Sequence, residues 1–157
     1  MVFATATAGL TDTVTDSNKN GKYKITDGTT LADGYFTVVQ SSSSSTTYYT
    51  DKGRTKINAI ELDKQSNKSY IKFTVTGKAE VTVSATSTGG SNTSYVEIVS
   101  ENGEATKASA TAVTGTDSAT EVKKTCSAGT YWIVVWTDDT DKSLARISSL
   151  KAVQTAE

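Results

Sequence analysis

The sequence contains no histidine and no proline, and only one cysteine and one methionine in 157 residues. Each absence excludes something. Without histidine there is no Ser-His-Asp triad, no Cys-His pair and no histidine-ligated zinc or iron. A single cysteine, Cys126, rules out an internal disulfide and any cysteine-cluster metal site. The side chains most used for proton transfer near neutral pH are therefore missing. Without proline, Gly, Asn and Asp must make the turns, and outward lysines must blunt the sheet edges. No run approaches the ~20 apolar residues of a membrane-spanning helix. Basic and acidic residues balance, 16 against 17, and the longest basic run is Lys123-Lys124. A nucleic-acid binder normally shows a basic excess, so neither nucleic acid nor membrane is an expected partner.

What is present is hydroxyl: Ser and Thr supply 48 residues. With so little cysteine, this composition is common in extracellular bacterial modules, and secretion is the expectation. Residues 1–10 lack the basic start and long apolar run of an intact signal peptide and read as a mature N-terminus.

Strand patterns dominate. Ile71 to Thr76 and Ala79 to Ala85 alternate apolar and polar residues, and Gly77-Lys78 between them predicts a hairpin. Tyr95 to Val99 is a further strand, closed by Glu101-Asn102-Gly103-Glu104, where Asn-Gly favours a type I′ turn. Thr130 to Thr137 is the most apolar segment. Leu144 to Val153 is the last strand, its imperfect alternation predicting a bulge near Ser148-Ser149. Upstream, Gly34 to Val39 runs into a serine loop, Ser41 to Ser45, before strand signals resume at Thr47-Tyr48-Tyr49 and again over Ile57 to Leu62. No long segment carries a helical apolar period. The expectation is a single all-β domain over 1–157, an antiparallel β-sandwich of jelly-roll type, monomeric.

Several of these stretches carry a family likeness. Asp33-Gly34-Tyr35-Phe36-Thr37-Val38-Val39, the segment from Tyr70 to Val83, Ser127-Ala128-Gly129-Thr130-Tyr131-Trp132 and the closing Ile147 to Val153 resemble the β-sandwich modules attached to bacterial pectate lyases. The likeness covers about residues 32–153 and is similar to carbohydrate-binding module family 77. It implies a non-catalytic module that holds an appended catalytic domain on plant cell-wall polysaccharide, most directly pectin (homogalacturonan), with lysines facing the uronate carboxylates. One position departs: relatives carry lysine in an Ile-Lys-Leu strand where this chain has Ile60-Glu61-Leu62, and an acid there repels a uronate. The alternative ligand is a neutral β-glycan such as xyloglucan, glucomannan or β-glucan. A structural or adhesin-like spacer domain fits the hydroxyl-rich composition as well.

Among candidate site residues, Trp132 and Trp136 are the sharpest. Residues four apart on a strand share a face, about 13 Å apart, and Tyr131, Ile133 and Val135 then fill the opposite, core face. Outward tryptophans stack on the apolar faces of pyranose rings. Equally, a central strand buried on both faces would use them as packing, and Val134 between them fits that. Lys52, Arg54 and Lys56 alternate and would share a face as cations for a polyuronate. Arg146 joins them if its strand pairs with that of Trp136, and Lys107, Lys123, Lys124 and Lys142 are further basic candidates. Asp16, Asn18, Asn20 and Asp27, with Gly21, have the spacing of a calcium loop, although Lys19, Lys22 and Lys24 oppose a cation and an Asn-Gly turn explains the same residues. Asp138, Asp139 and Asp141 form a second acidic corner. Structural calcium is the one cofactor the sequence suggests. An enzyme is not expected, since glycoside hydrolysis needs two carboxylates at a fixed separation and no pair is marked out.

Overall fold

The computed structural model describes residues 2–7, 22–25, 27–31, 34–41, 47–49, 59–87, 93–115, 118–137 and 144–154. Among these, strands are β1 (Val2–Thr7), β2 (Lys22–Lys24), β3 (Thr30–Leu31), β4 (Phe36–Val39), β5 (Thr47–Tyr49), β6 (Ala59–Leu62), β7 (Tyr70–Val75), β8 (Ala79–Ser87), β9 (Ser94–Ser100), β10 (Thr111–Val113), β11 (Thr120–Cys126), β12 (Gly129–Trp136) and β13 (Ala145–Gln154). They form two antiparallel sheets. One runs β11-β8-β13-β6-β5-β2, with β1 also paired to β13, and the other runs β10-β9-β12-β7-β4-β3. We refer to them by their interior strands as the β13 sheet and the β12 sheet.

The alternation in the sequence explains how they pack. Ile71, Phe73 and Val75 of β7, Val96 and Ile98 of β9, and Ile133 and Val135 of β12 point into one core, against Val81 and Val83 of β8 and Ile147, Leu150 and Ala152 of β13. Phe36, Ile71, Ile133 and Val81 are fully buried, and each such side chain contributes roughly 1.5–3 kcal/mol by leaving water. An aromatic chain within this layer links Tyr35, Phe36, Phe73 and Tyr131, with Phe73 stacked on Tyr131 at 5.6 Å. At the edge, Lys124 Nζ of β11 donates to the Ile98 carbonyl of β9 at 2.8 Å, joining the two sheets.

The sandwich expected from the sequence is therefore present, and so is the bulge: the β13–β8 register shifts between Ile147 and Ser149. Two local expectations are corrected. Gly77-Lys78 makes no hairpin. β7 pairs with β4 and β12, whereas β8 pairs with β11 and β13, so the turn carries the chain from one sheet to the other. Val75 and Ala79 on either side of it are both buried in the shared core. The second correction is the turn after β9. It closes with Gly103 N–H donating to Ser100 O at 2.7 Å, and only Asn102 has positive φ, +64°. One positive φ, at the third position, is the requirement of a type II turn rather than a type I′ turn.

Candidate functional site

β12 is flanked by β7 and β9 and so is interior to its sheet. With Ile133 and Val135 in the core, Trp132, Val134 and Trp136 project from the outer face. Val134 is nevertheless completely buried there, under Val99 and Ala105. What covers it is a strap. A 3-10 turn at Gln65–Asn67 brings the Gln65 side chain over the sheet, where its Nε2 donates to Gly103 O at 2.7 Å and its Oε1 accepts from Ala105 N–H at 2.9 Å. A primary amide has both a donor and an acceptor end, and here both hold one loop. Gly103 is required at this point. A Cβ added there would stand 2.7 Å from Ser100 O and 3.0 Å from Val99 Cβ.

The strap divides the outer face into two grooves. On one side Trp132 lies parallel to Tyr70 of β7, ring centroids 3.9 Å apart and planes 18° apart. Both line a groove of about 570 Å³ whose other walls are Val39, Gln40, Ser41, Gln65, Ser66, Lys68, Asn102, Gly103 and Glu104. On the other side Trp136 meets Tyr95 of β9 edge-on at 5.3 Å, and Lys107 Nζ lies 5.6 Å from the centre of the Tyr95 ring. That side has a smaller groove of about 250 Å³, lined by Trp136, Thr137, Lys64, Glu104 and the strap. The rings are half-buried: Val134 between them is packing, and Trp132 and Trp136 each wall an open groove.

Polar groups in this region are unusually placed. Trp132 Nε1 and Thr137 Oγ1 are buried without a hydrogen-bond partner, and such groups normally have one. Burial, and after it the negative charges of Asp27 and Glu101, push the Tyr70 phenol above its ordinary range, so it stays protonated and able to donate. Among the described residues, the groove lining thus offers two parallel rings, a neutral phenol, amides, hydroxyls and the charges of Lys68 and Glu104.

The remaining sequence candidates lie elsewhere. Arg146 is on β13, whose partners are β1, β6 and β8, so its strand does not pair with that of Trp136. It is buried on the outer side of the other sheet, and its Nε donates to Glu61 Oε2 at 3.2 Å. This corrects its placement with the tryptophans and accounts for the acid at Glu61, which serves Arg146. Lys123 faces Glu121 at 3.9 Å on the exposed side of β11. Lys52, Arg54, Lys56, Lys142, Asp16, Asn18, Asn20, Asp138, Asp139, Asp141 and the serines after Ser41 lie outside the described residues. Asp27 is exposed and its Oδ1 accepts from the Gln40 backbone N–H at 2.8 Å. Among the described residues no group of three or more carboxylate or cysteine side chains is placed to hold a metal.

Sequence reading missed Tyr70, Tyr95 and Gln65. The two tyrosines had a signal, since each stands at an outward position of an alternating strand. Gln65 had none.

No family model matches the sequence, and no curated protein matches it either. Among solved structures, the chain is similar to the CBM22-1 xylan-binding domain of Paenibacillus barcinonensis Xyn10C, with a TM-score of 0.50 and 12% identity over 89% of this chain and 100% of that one. That domain is of a module type other than the pectate-lyase-associated group expected from the sequence, and the likeness is one of fold: a two-sheet β-sandwich like that of a carbohydrate-binding module.

Proposed function

We propose that the protein is a non-catalytic carbohydrate-binding module that takes a neutral β-linked glycan into the groove beside Trp132 and Tyr70. The observation that carries this reading is the stacked ring pair opening onto a groove with a polar rim. Pyranose rings present apolar C–H faces and peripheral hydroxyls, so they match aromatic walls bordered by amides and hydroxyls. The fold likeness to a xylan-binding domain makes a β-linked xylose polymer the first ligand to try. Homogalacturonan is less favoured, because it calls for a row of cations. The described part of the groove carries Lys68 opposed by Glu104, and Arg146 is committed to Glu61 in the other sheet. The module works by proximity: tethered to a catalytic domain outside the cell, it raises the local concentration of polysaccharide.

Affinity electrophoresis against xylan, glucomannan, xyloglucan and polygalacturonan tests this. Neutral glycans are expected to retard the protein, with Trp132→Ala losing about 2 kcal/mol of affinity and Trp132→Phe, which keeps a ring in place, losing less. Retardation by polygalacturonan alone overturns the neutral-glycan reading. Migration unaffected by every polysaccharide overturns the module reading and favours a spacer domain.

A further inference from the structure

Trp136 follows Trp132 by four residues on β12, so the two side chains leave one face of the sheet about 13 Å apart, farther than a single pyranose ring reaches. Between them Val134 is buried beneath the strap. Ser66 on its turn and Glu104 on its loop are exposed, and together with Gln65 they line both grooves. The two grooves are therefore neighbours across one ridge.

Their chemistry repeats on the two sides of that ridge. Each groove is lined by an indole ring, by the Gln65 amide and the Ser66 hydroxyl, and by one lysine (Lys68 or Lys64) together with Glu104. Trp136 is met edge-on by Tyr95, and an edge-on neighbour covers less of a ring than the parallel stack at Trp132. The Trp136 groove is the smaller, about 250 Å³ against 570 Å³, so it holds a shorter piece of a ligand.

We infer that one glycan chain fills both grooves, arching over the strap at Ser66 and Glu104. This rests on the reading of the Trp132 groove as a site for a neutral β-linked glycan. Two separate chains, one in each groove, would compete for the same strap residues, whereas a single chain meets them once. Its second contact is made at the high effective concentration of a tethered group. The ridge also sets the kind of chain. A flat crystalline array would rest on the strap and could not reach both rings, so the ligand is an internal stretch of a single chain free to bend.

Calorimetric titration of the full protein with β-linked xylose, glucose and mannose oligosaccharides, from disaccharide to hexasaccharide, tests the inference. In the series that binds, the hexasaccharide is expected to bind roughly tenfold more tightly than the disaccharide, with one hexasaccharide per protein. Trp136→Ala removes that gain while the disaccharide binds as before, and the retained binding shows that the variant is folded. Trp136→Phe, which keeps a ring, preserves part of the gain. Microcrystalline cellulose is expected not to capture the protein. Equal affinity along the series overturns the inference and leaves the Trp132 groove standing. So does a length gain that survives Trp136→Ala, binding of two hexasaccharides per protein, or capture by the crystalline surface. If Trp136→Ala weakens disaccharide and hexasaccharide alike, the ring acts through the fold and the inference also fails. If no oligosaccharide of any series binds, both readings fall.

Discussion

On the outer side of the β12 sheet the interior strand is covered by carbon: Val134 lies under Val99 and Ala105, held down by Gln65. On the outer side of the β13 sheet the corresponding cover is ionic, with Arg146 opposite Glu61 in the register of β13 and β6. Both solve the same problem, since a strand with neighbours on each side has to close its outward face or leave it wet. The consequences differ. The apolar cover is a narrow strap, and on either side of it rings wall the grooves at Trp132 and Trp136. The ionic cover spends its cation within the fold. Among the described residues, the β12 face therefore keeps open grooves, whereas the Arg146 charge on the β13 face is matched within the fold.

The largest expected effect comes from breaking the ionic side. The Arg146 and Glu61 side chains are only 9% and 13% exposed, so removing one partner takes a direct ionic contact from a charge held largely out of water. Glu61→Ala is expected to cost about 3 kcal/mol or more in urea denaturation. Replacing both together, Glu61→Leu with Arg146→Met, should recover most of that loss, because apolar residues of similar size pay no desolvation. Glycan affinity should follow neither change while the protein stays folded, the site being across the sandwich. A loss below about 1 kcal/mol in Glu61→Ala would mean that the pair behaves as a surface pair, and the contrast between the two faces would fail.

The same contrast shows what the sequence makes legible. Alternation marks which residues of a strand share a face: Ile133 and Val135 inward, Trp132 and Trp136 outward, and a bulge where Ser148 and Ser149 break the pattern. It does not say which strands are neighbours. Gly77-Lys78 looks like a hairpin because both flanking strands alternate, yet they belong to different sheets. Arg146 and Trp136 suggest one cluster for the same reason, as an aromatic and a cation on outward faces whose sheets are unknown. The Tyr70–Trp132 stack depends on the β7–β12 register, and the strap depends on a glutamine reaching a loop 38 residues away in sequence. Neither relation leaves a periodic trace.

Loosening the apolar side comes next in size. Gly103→Ala drives a methyl group against Ser100 O and the Val99 side chain, and the backbone oxygen cannot rotate away, so a loss of about 1–3 kcal/mol is expected. Gln65→Ala deletes two hydrogen bonds, each worth about 1 kcal/mol net. The freed Gly103 carbonyl and Ala105 N–H can then turn to water, which holds the loss to about 1–2 kcal/mol. Both changes should also weaken glycan binding, since Gln65 and Gly103 wall the Trp132 groove. Stability losses of this size with glycan affinity unchanged would show that the strap packs Val134 without shaping the groove.

The smallest effect is set by pH, and the missing histidine gives it its shape. With no side chain whose ordinary range lies between about pH 6 and 8, stability and glycan affinity should be flat across that interval. Change should come on the alkaline side. Burial pushes up the thiol of Cys126, ordinarily at 9.0, against a smaller opposing influence of Lys124. Burial likewise raises the phenols of Tyr35 and Tyr70, ordinarily at 10.0, with help from negative neighbours. A group whose pKa is raised on folding holds its proton more tightly in the native state than in the unfolded chain. The stability it contributes is complete below the unfolded value and is lost as pH climbs towards the folded one. Melting temperature should therefore begin to fall at about pH 9, and Cys126→Ala should delay the onset to about pH 10, where only the tyrosines remain. Tyr70 alone among the three walls the Trp132 groove, so Tyr70→Phe, which keeps the ring and removes the ionisable group, should protect alkaline binding beyond its effect on stability. An onset that Cys126→Ala leaves unmoved would assign the alkaline loss to the phenols alone.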